Sequence, residues 1–233
     1  MAVKAPPQLP VSVFSWTGFY VGGNAGYGWG RANDEMTLGG LWPIDGTGDN
    51  LSVGPLGNDR LRPNGFTGGF EAGYNYQAGP WVWGIEADWE YFRLKNIFSA
   101  TVTAASGDSY AFASSFESNW LVTVRPRIGY AFDRFLVYAT GGLAIADQTF
   151  SQNITQLNVV FAETGSVSKT TAGWTVGAGI EYAIANHWSV KAEYLHVDPG
   201  SVSFSSASFG YSAMHSANLK ADIVRGGLNY EFQ

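Results

Sequence analysis

Carboxylate and basic side chains occur at alternate positions in two segments of the chain. Glu86, Asp88 and Glu90 are spaced two residues apart, and Arg125 and Arg127 repeat that spacing with the opposite charge. Paired carboxylates can serve as acid and nucleophile in glycoside hydrolysis. The same side chains form ion pairs when their segments lie side by side. Because the arginines would fill the space that a substrate needs, we favour the ion-pair interpretation.

A second group with catalytic potential is the segment HVDPGS, which contains His196, Asp198 and Ser201. A histidine, an acid and a serine act together in hydrolases when their side chains converge. We interpret this segment instead as a strand that leads into a loop. His187 is expected in a solvated turn and His215 in a long loop, and this scatter lacks metal-ligand spacing. We therefore expect no catalytic residues, no metal and no cofactor.

The composition excludes several classes of site. The 233 residues include no cysteine, so disulfides, thiolate zinc sites and thiol nucleophiles are excluded. The net charge of −6, without a run of lysines and arginines, argues against nucleic acid as a partner. No stretch reaches eighteen consecutive apolar residues, so we expect no transmembrane helix. The start MAVKAPPQLP lacks the pattern of a signal peptide.

Hydrophobicity alternates with a period of two along most of the chain, which predicts β-strands. In WTGFYVGGNAGYGWG (16–30), Phe19, Val21 and Trp29 share one face, while glycines dominate the other. The alternation recurs in seven further segments, and the inward face of one of them, 135–146, is not determined by the pattern. The seven segments are 65–77, 81–91, 120–130, 135–146, 173–183, 188–196 and 224–232.

The connections between these strands alternate in length. Short turns are predicted at 78–80, 132–134 and 184–187, and the other four connections have about 20 to 35 polar residues. Loops of that length are uncommon in compact soluble domains. We therefore predict an all-β fold, an eight-stranded antiparallel up-and-down transmembrane β-barrel with four long loops at one end and short turns at the other. Residues 16–233 form this barrel, and residues 1–15 form a proline-containing periplasmic tail.

The distribution of aromatic and charged residues indicates which face meets lipid. The apolar face carries Trp, Tyr and Phe near the strand ends, as in the two interfacial girdles of a membrane barrel. The opposite face carries acids and bases that a narrow lumen would bring together. The predicted girdle residues are Phe19, Trp29, Tyr76, Trp81, Tyr91, Trp120, Tyr130, Trp174, Tyr182 and Trp188. The predicted lumen charge network consists of Glu71, Glu86, Asp88, Glu90, Arg125, Arg127, Glu181, Lys191, Glu193, Arg225 and Glu231.

A soluble calycin-like barrel is the alternative, since a period of two also fits an apolar interior. That alternative must place nearly all the tryptophans inside one small barrel. The membrane alternative needs no such crowding, and a closed barrel leaves no open strand edge in lipid.

Several blocks of the sequence resemble the alphaproteobacterial Omp25/Omp31 family. They are FSWTGFYVGGNAGYGWG (14–30), LVYATGGLA (136–144), AGWTVGAGIEYAI (172–184), WSVKAEYLHVDPGS (188–201) and VRGGLNYEF (224–232). The resemblance implies an outer-membrane location and insertion by the barrel-assembly machinery. Family members commonly end in a phenylalanine that serves as the assembly signal, which here is Phe232 followed by Gln233. The KAPP motif near the start is similar to the beginning of processed family members.

These features predict a non-enzymatic integral outer-membrane protein with structural and surface-interaction roles and a lumen plugged by charged residues. The expected partners are outer-membrane lipid and lipopolysaccharide, the barrel-assembly machinery, and peptidoglycan through the N-terminal tail. One alternative is a small porin-like channel, with cation preference because acids exceed bases in the lumen. The other is a haem- or ligand-binding surface receptor, which the family resemblance suggests and for which the chain offers His215 and Met36.

Overall fold

Eight long antiparallel strands follow one another around a closed ring. The computed structural model describes residues 14–58, 60–159 and 161–232, apart from the side chain of Arg60. The first long strand pairs with the last from Phe19–Phe232 to Gly40–Tyr211, which closes the ring and confirms the predicted barrel. The strands are β1 (Gly18–Gly40), β2 (Arg60–Leu61), β3 (Asn64–Ala78), β4 (Trp81–Thr103), β5 (Ser109–Phe132), β6 (Phe135–Gln156), β7 (Phe161–Ala183), β8 (Trp188–Ser208) and β9 (Tyr211–Phe232), of which β2 is a two-residue pairing outside the ring of eight.

The two ends of the barrel differ, as the sequence predicts. At the short-turn end, two residues join β3 to β4, two join β5 to β6, and four join β7 to β8. The other end, here called the extended end, is where the sequence predicts the four long connections. Residues 1–13 of the predicted tail lie outside the described residues. The described chain begins at the short-turn end, where Phe14 and Trp16 lie inside the barrel.

Most residues of the predicted long loops are strand. The β4–β5 connection is only the turn at 104–108, and β8 and β9 meet through Phe209 and Gly210. Both of these residues have positive φ, at 51° and 88°, as in the two-residue turns that match the twist of a hairpin. Within the described residues, the β1–β3 connection alone is a long loop, with helix α1 (Asn50–Val53) and a 3₁₀ turn (Gly54–Gly57). Among the described residues, no helix is long and apolar enough to cross a membrane.

The strands are longer than a bilayer requires. In the half near the short turns their outer face is apolar, and in the half at the extended end their inner face is apolar. About 9–11 tilted residues cross the hydrocarbon core, whereas β5 has 24 residues. In its half near the short turns, Arg125 and Arg127 point inward and Ile128 points outward. In its half at the extended end, Phe112 and Phe116 point inward and hydroxyl-bearing or small residues point outward.

Register irregularities accompany this change of polarity. Between Glu117 and Leu121 the pairing of β5 with β6 shifts, and the buried positions of β5 change from even to odd numbers. A similar shift lies between Val197 and Gly200 on β8. A β-bulge inserts one residue into a strand and so reverses which side chains point inward beyond it. The same barrel wall can therefore present its apolar side to lipid in one half and to its own interior in the other.

The structure also orients the segment 135–146. Leu136, Tyr138 and Ala144 are buried inside the barrel, and Phe135 and Val137 are exposed on the outer wall.

Candidate functional site: the charged lumen and its apolar covers

The predicted charged residues all lie inside the barrel. None of the eleven is more than 4% exposed, and they occupy the half of the lumen nearer the short turns. They are Glu71 on β3, Glu86, Asp88 and Glu90 on β4, Arg125 and Arg127 on β5, Glu181 on β7, Lys191 and Glu193 on β8, and Arg225 and Glu231 on β9.

Glu86 is the acid on which the cations of β5 and β8 converge. One oxygen lies 2.6 Å from the Arg125 guanidinium, and the other lies 3.3 Å from Arg127 and 3.0 Å from the Lys191 ammonium. Lys191 also contacts Glu71 at 2.6 Å. These contacts join three strands through a single carboxylate.

Arg225 on β9 closes the network on the opposite side. Its guanidinium lies 3.3 Å from Asp88 and 2.5 Å from Glu193, and it contacts Glu90. Arg125 bridges the two sides, since it contacts Asp88 at 2.8 Å and Glu193 at 3.3 Å. The four cations and their carboxylates therefore form one continuous layer across the lumen.

Neutral side chains use carboxylate positions that the cations leave open. The hydroxyls of Tyr20 and Tyr138 donate to Glu86 and Glu193 at 2.7 and 3.0 Å. The Arg127 guanidinium stacks 4.2 Å from the centre of the Tyr138 ring. A side chain at Gly179 would put its Cβ 2.5 Å from the Tyr138 hydroxyl, so glycine at this inward position leaves room for the tyrosine.

Apolar side chains cover the charged layer at both ends. At the short-turn end, Phe14 and Trp16 pack with Leu136 and Tyr138, and the Trp16 backbone N–H donates to Gln77. On the other side, Phe92, Leu94, Leu121, Leu195 and Ile223 form an apolar layer.

Two further apolar clusters fill the lumen of the extended end. One includes Leu61, Phe116, Phe150 and Leu219, and the other includes Met36, Trp42, Phe112 and Ile154. The sequence carried a signal for them in SYAFASSFES (109–118), where aromatic residues alternate with small ones. Because serine is frequent in loops, the sequence pattern assigned this segment to a loop.

Aromatic side chains project from the outer wall at two levels. Nine of the ten predicted girdle residues are exposed, and Trp120 is half-buried. Phe19, Tyr76, Trp81, Tyr130, Tyr182 and Trp188 lie near the short turns, and Trp29, Tyr91, Trp120 and Trp174 lie toward the extended end. Phe232, the predicted assembly signal, is exposed at the end of β9 in the first of these levels.

The residues of the candidate triad do not converge. The His196 imidazole lies 2.8 Å from Asp222, Asp198 lies 3.7 Å from the Lys220 ammonium, and Ser201 is exposed. Among the residues that the structure describes, no group of three metal-ligating acids or histidines comes together.

His215 lies on β9 inside the extended end, not in the loop predicted for it. Its Nε2 is 2.9 Å from the Ser206 hydroxyl, which lies 2.6 Å from Glu163. Burial lowers the pKa of His215 to about 4. In a hydrolase triad the acid binds the histidine, whereas here Glu163 binds the serine. The group is also buried beneath Phe204, whose ring stacks on the imidazole.

Comparison with known proteins identifies the fold family. The family model described as the outer membrane protein beta-barrel domain matches residues 5–232. This chain belongs to the outer-membrane protein β-barrel family. The 31 kDa outer-membrane immunogenic protein of Brucella melitensis is 36% identical to this outer-membrane barrel over 231 residues, which cover 98% of the chain and 89% of that protein. The 22 kDa outer membrane protein of Rhizobium leguminosarum is 31% identical over 219 residues, which cover 94% and 79%.

The predicted resemblance to the Omp25/Omp31 family and the outer-membrane location are thereby confirmed. Among solved structures, the outer-membrane protease OmpT of Escherichia coli aligns with this outer-membrane barrel over 96% of this chain and 99% of the OmpT chain. The TM-score is 0.48 and the sequence identity is 10%.

Proposed function

We propose that this chain is a non-enzymatic outer-membrane protein whose sealed barrel serves as an anchor and presents its extended end at the cell surface. The observation that carries the proposal is the filled lumen. The ion-pair layer around Glu86 lies between apolar clusters, one at Trp16 and one at Leu121. A lumen filled in this way supports mechanical and surface roles over transport.

The ion pairs are well suited to resist opening. A permeating ion would have to separate buried partners such as Arg125 and Asp88. Removing one partner from a buried pair costs roughly 3–5 kcal/mol because the other charge stays buried without compensation. Directly beyond that layer, an ion would meet the apolar side chains of Phe92, Leu121 and Leu195, which offer it no ligands.

The outer wall supports a bilayer position between the two aromatic levels. Phe19 and Trp29 are ten residues apart on β1. At about 3.3 Å per residue and a tilt of about 40°, they are separated by roughly 25 Å along the barrel axis. That is the height of the apolar band of outer-membrane barrels. The polar outer wall beyond Trp29 would then stand in water outside the cell.

The remaining partners follow from this placement. Outer-membrane lipid and lipopolysaccharide would surround the wall, and Phe232 would be read by the barrel-assembly machinery. The entry of the chain at Phe14 on the short-turn side supports a periplasmic tail that reaches peptidoglycan. A Phe232→Ser variant should accumulate unfolded in the periplasm, whereas a Phe66→Ser variant on the same outer wall should assemble.

Planar-bilayer recording tests the sealed lumen. The refolded protein should produce no steady conductance steps. The second candidate, a small channel, is favoured by the excess of seven lumen acids over four cations. It predicts steps whose reversal potential follows the cation gradient, and such steps would overturn the proposal.

A haem receptor is the remaining candidate. Met36 and His215 face each other in the β1–β9 register, yet both are buried in the extended end. Hemin titration of the purified barrel should leave the Soret band unshifted. A saturable shift that a His215→Gln variant abolishes would establish the receptor instead.

A further inference from the structure

Three cations stand side by side on the outer wall just beyond the aromatic level of the extended end. Arg31 on β1 faces Lys220 on β9 in the strand register. The register that pairs Ala32 with Leu61 brings Arg62 beside Arg31 on its other side. All three cationic side chains are exposed. Like charges directly opposite each other on neighbouring strands are destabilising, so this arrangement favours the binding of an anion.

Acidic neighbours neutralise only part of this row. The Lys220 ammonium lies 3.7 Å from Asp198. Asp222 already accepts a hydrogen bond of 2.6 Å from the Tyr194 hydroxyl, and Glu35 lies four residues beyond the row along β1. Asp222 also attracts Arg31 from a longer distance, but among the described residues neither arginine has a carboxylate within 4.0 Å. Their ten guanidinium N–H donors suit phosphate oxygens, which arginine binds in a bidentate manner.

The two arginines line a defined cleft of about 460 Å³ together with Tyr27, Trp29 and Asn64. The Tyr27 hydroxyl donates to the Asn64 side chain at 2.6 Å. A backbone hydrogen bond of 2.7 Å between Gly30 and Pro63 ties β1 to the segment that precedes β3. The cleft is therefore held in shape by contacts on both strands, at the level where lipid headgroups meet the barrel.

An apolar groove of about 860 Å³ lies beneath the cleft on the same side of the barrel. Gly23 has no side chain and Ala72 and Ala87 have small ones, which leaves the space of the groove, and Phe70 and Trp89 also line it. Gly23 is six residues from Trp29 along β1. At about 3.3 Å per residue and a tilt of about 40°, this is roughly 15 Å of depth, which is half of the hydrocarbon core.

We propose that this face holds one phosphorylated lipid of the outer leaflet, with a phosphate on Arg31 and Arg62 and an acyl chain in the groove at Ala72. A soluble polyanion could bind the cations but would leave the apolar groove empty. A neutral lipid could use the groove but not the cations. The site rests on the bilayer placement and orientation of the proposed function, and it adds a defined ligand to them.

Lipid retention by the refolded full chain tests the site. The probe is bis-phosphorylated lipid A in micelles of a zwitterionic detergent, and co-eluting lipid is measured by phosphorus analysis after size exclusion. Each arginine is expected to raise the affinity for lipid A about five-fold, because a basic residue at an anionic surface contributes about 1 kcal/mol. The Arg31→Gln/Arg62→Gln double variant should thus bind about twenty-five-fold more weakly. Lys169→Gln removes an exposed cation from β7 and should leave retention unchanged.

A loss of about five-fold in Lys169→Gln, equal to the loss per charge in the double variant, would show attraction to net charge alone and would overturn the site. Lipid A stripped of its phosphates should be retained poorly, and retention equal to that of the intact lipid contradicts the role of the arginines. Displacement by inorganic phosphate at millimolar or lower concentration would indicate a site for free phosphate instead.

The groove has its own matched pair of variants. Ala72→Leu fills the groove and should lower lipid A retention several-fold, whereas Ala178→Leu makes the same change on the lipid-facing wall of β7. Equal retention by the two variants would overturn the acyl part of the proposal. Heat-modifiable migration on a gel reports barrel formation for every variant, so a failure to insert is distinguished from the loss of a lipid site.

Discussion

Glu86 on β4 and Arg125 on β5 are directly opposite in the strand register, and their side chains meet inside the barrel at 2.6 Å. Both side chains are buried, so each charge depends on its partner for compensation. Glu86 also contacts Lys191 of β8 from across the lumen. The pair therefore couples neighbouring strands to a distant one and makes the charged layer part of the cohesion of the barrel.

Replacing Arg125 by methionine should destabilise the barrel by roughly 3–5 kcal/mol, because three carboxylates would lose a buried cation. Lys95→Met removes one partner of an exposed pair, with 3.5 Å to Glu117, and should cost no more than about 1 kcal/mol. Urea unfolding in detergent micelles, followed by tryptophan fluorescence, measures both. Equally small losses would mean that the lumen pairs are energetically similar to surface pairs.

Position along β5 should decide how the outer wall tolerates a charge. Val124 lies between the two aromatic levels, and Ala113 lies on the outer wall of the extended end. Val124→Arg should cost roughly 2–4 kcal/mol in lipid, as for arginine at the bilayer midplane, and should lower the fraction that inserts into vesicles. Ala113→Arg should insert like the parent. Similar insertion of both variants would place the bilayer elsewhere on the wall.

Truncation of Phe116 to alanine should loosen the extended end. The side chain is fully buried with Leu61, Phe150 and Leu219, and such truncations typically cost about 3–5 kcal/mol. Hydrogen exchange in β5 and β6 beyond the bulge should accelerate, while heat-modifiable migration persists because the bilayer half is unchanged. Ser115→Ala, one residue away on the outer wall, should alter neither. Loss of heat-modifiability in Phe116→Ala would show that the two halves fold as one unit.

The extended end should lose stability as the pH falls. Burial lowers the pKa of His215 to about 4, below its ordinary value of 6.5. The unfolded state therefore binds the proton first, so stability is complete above about pH 6.5 and declines by roughly 3 kcal/mol down to about pH 4. Hydrogen exchange in β8 and β9 at several pH values measures the loss.

A His215→Gln variant keeps a hydrogen-bonding partner for Ser206 and should flatten this pH dependence. His187→Gln changes an exposed histidine in the β7–β8 turn and should leave it intact. If both variants retain the parent profile, groups other than His215 account for the pH response, and the proposed role of His215 is wrong.

Local sequence patterns determined the barrel and the direction of its inner face in the bilayer half. A period of two fixes which side chains share a side of a strand, and the tryptophans and tyrosines at the strand ends are too numerous for a small interior. Glu86 and Arg125 could be assigned to the lumen on that basis. Three short turns separated by long connections were enough for the order of strands, because sequential antiparallel strands pair with their neighbours in an up-and-down barrel.

Only the tertiary structure decided which partners meet and where the strands end. Glu86 meets Lys191, 105 residues away, because ring closure and strand tilt bring β8 to face β4, and no local pattern encodes that geometry. The extension of β5 to Ser109 was missed because, beyond the bulge, its inner face changes from charged to largely apolar while its outer face changes from apolar to small and polar residues. Apolar residues stay at even positions on both sides of the bulge, as at Phe112 and Val124, but the bulge moves those positions from the outer face to the inner face. A local pattern of hydrophobicity does not reveal that reversal. His215 points inward because it continues the buried odd-numbered face of β9 on which Arg225 lies, and it was placed in a loop only because β9 was expected to begin at Val224. Its partners Phe204 and Ser206 come from β8, and only the tertiary structure shows them.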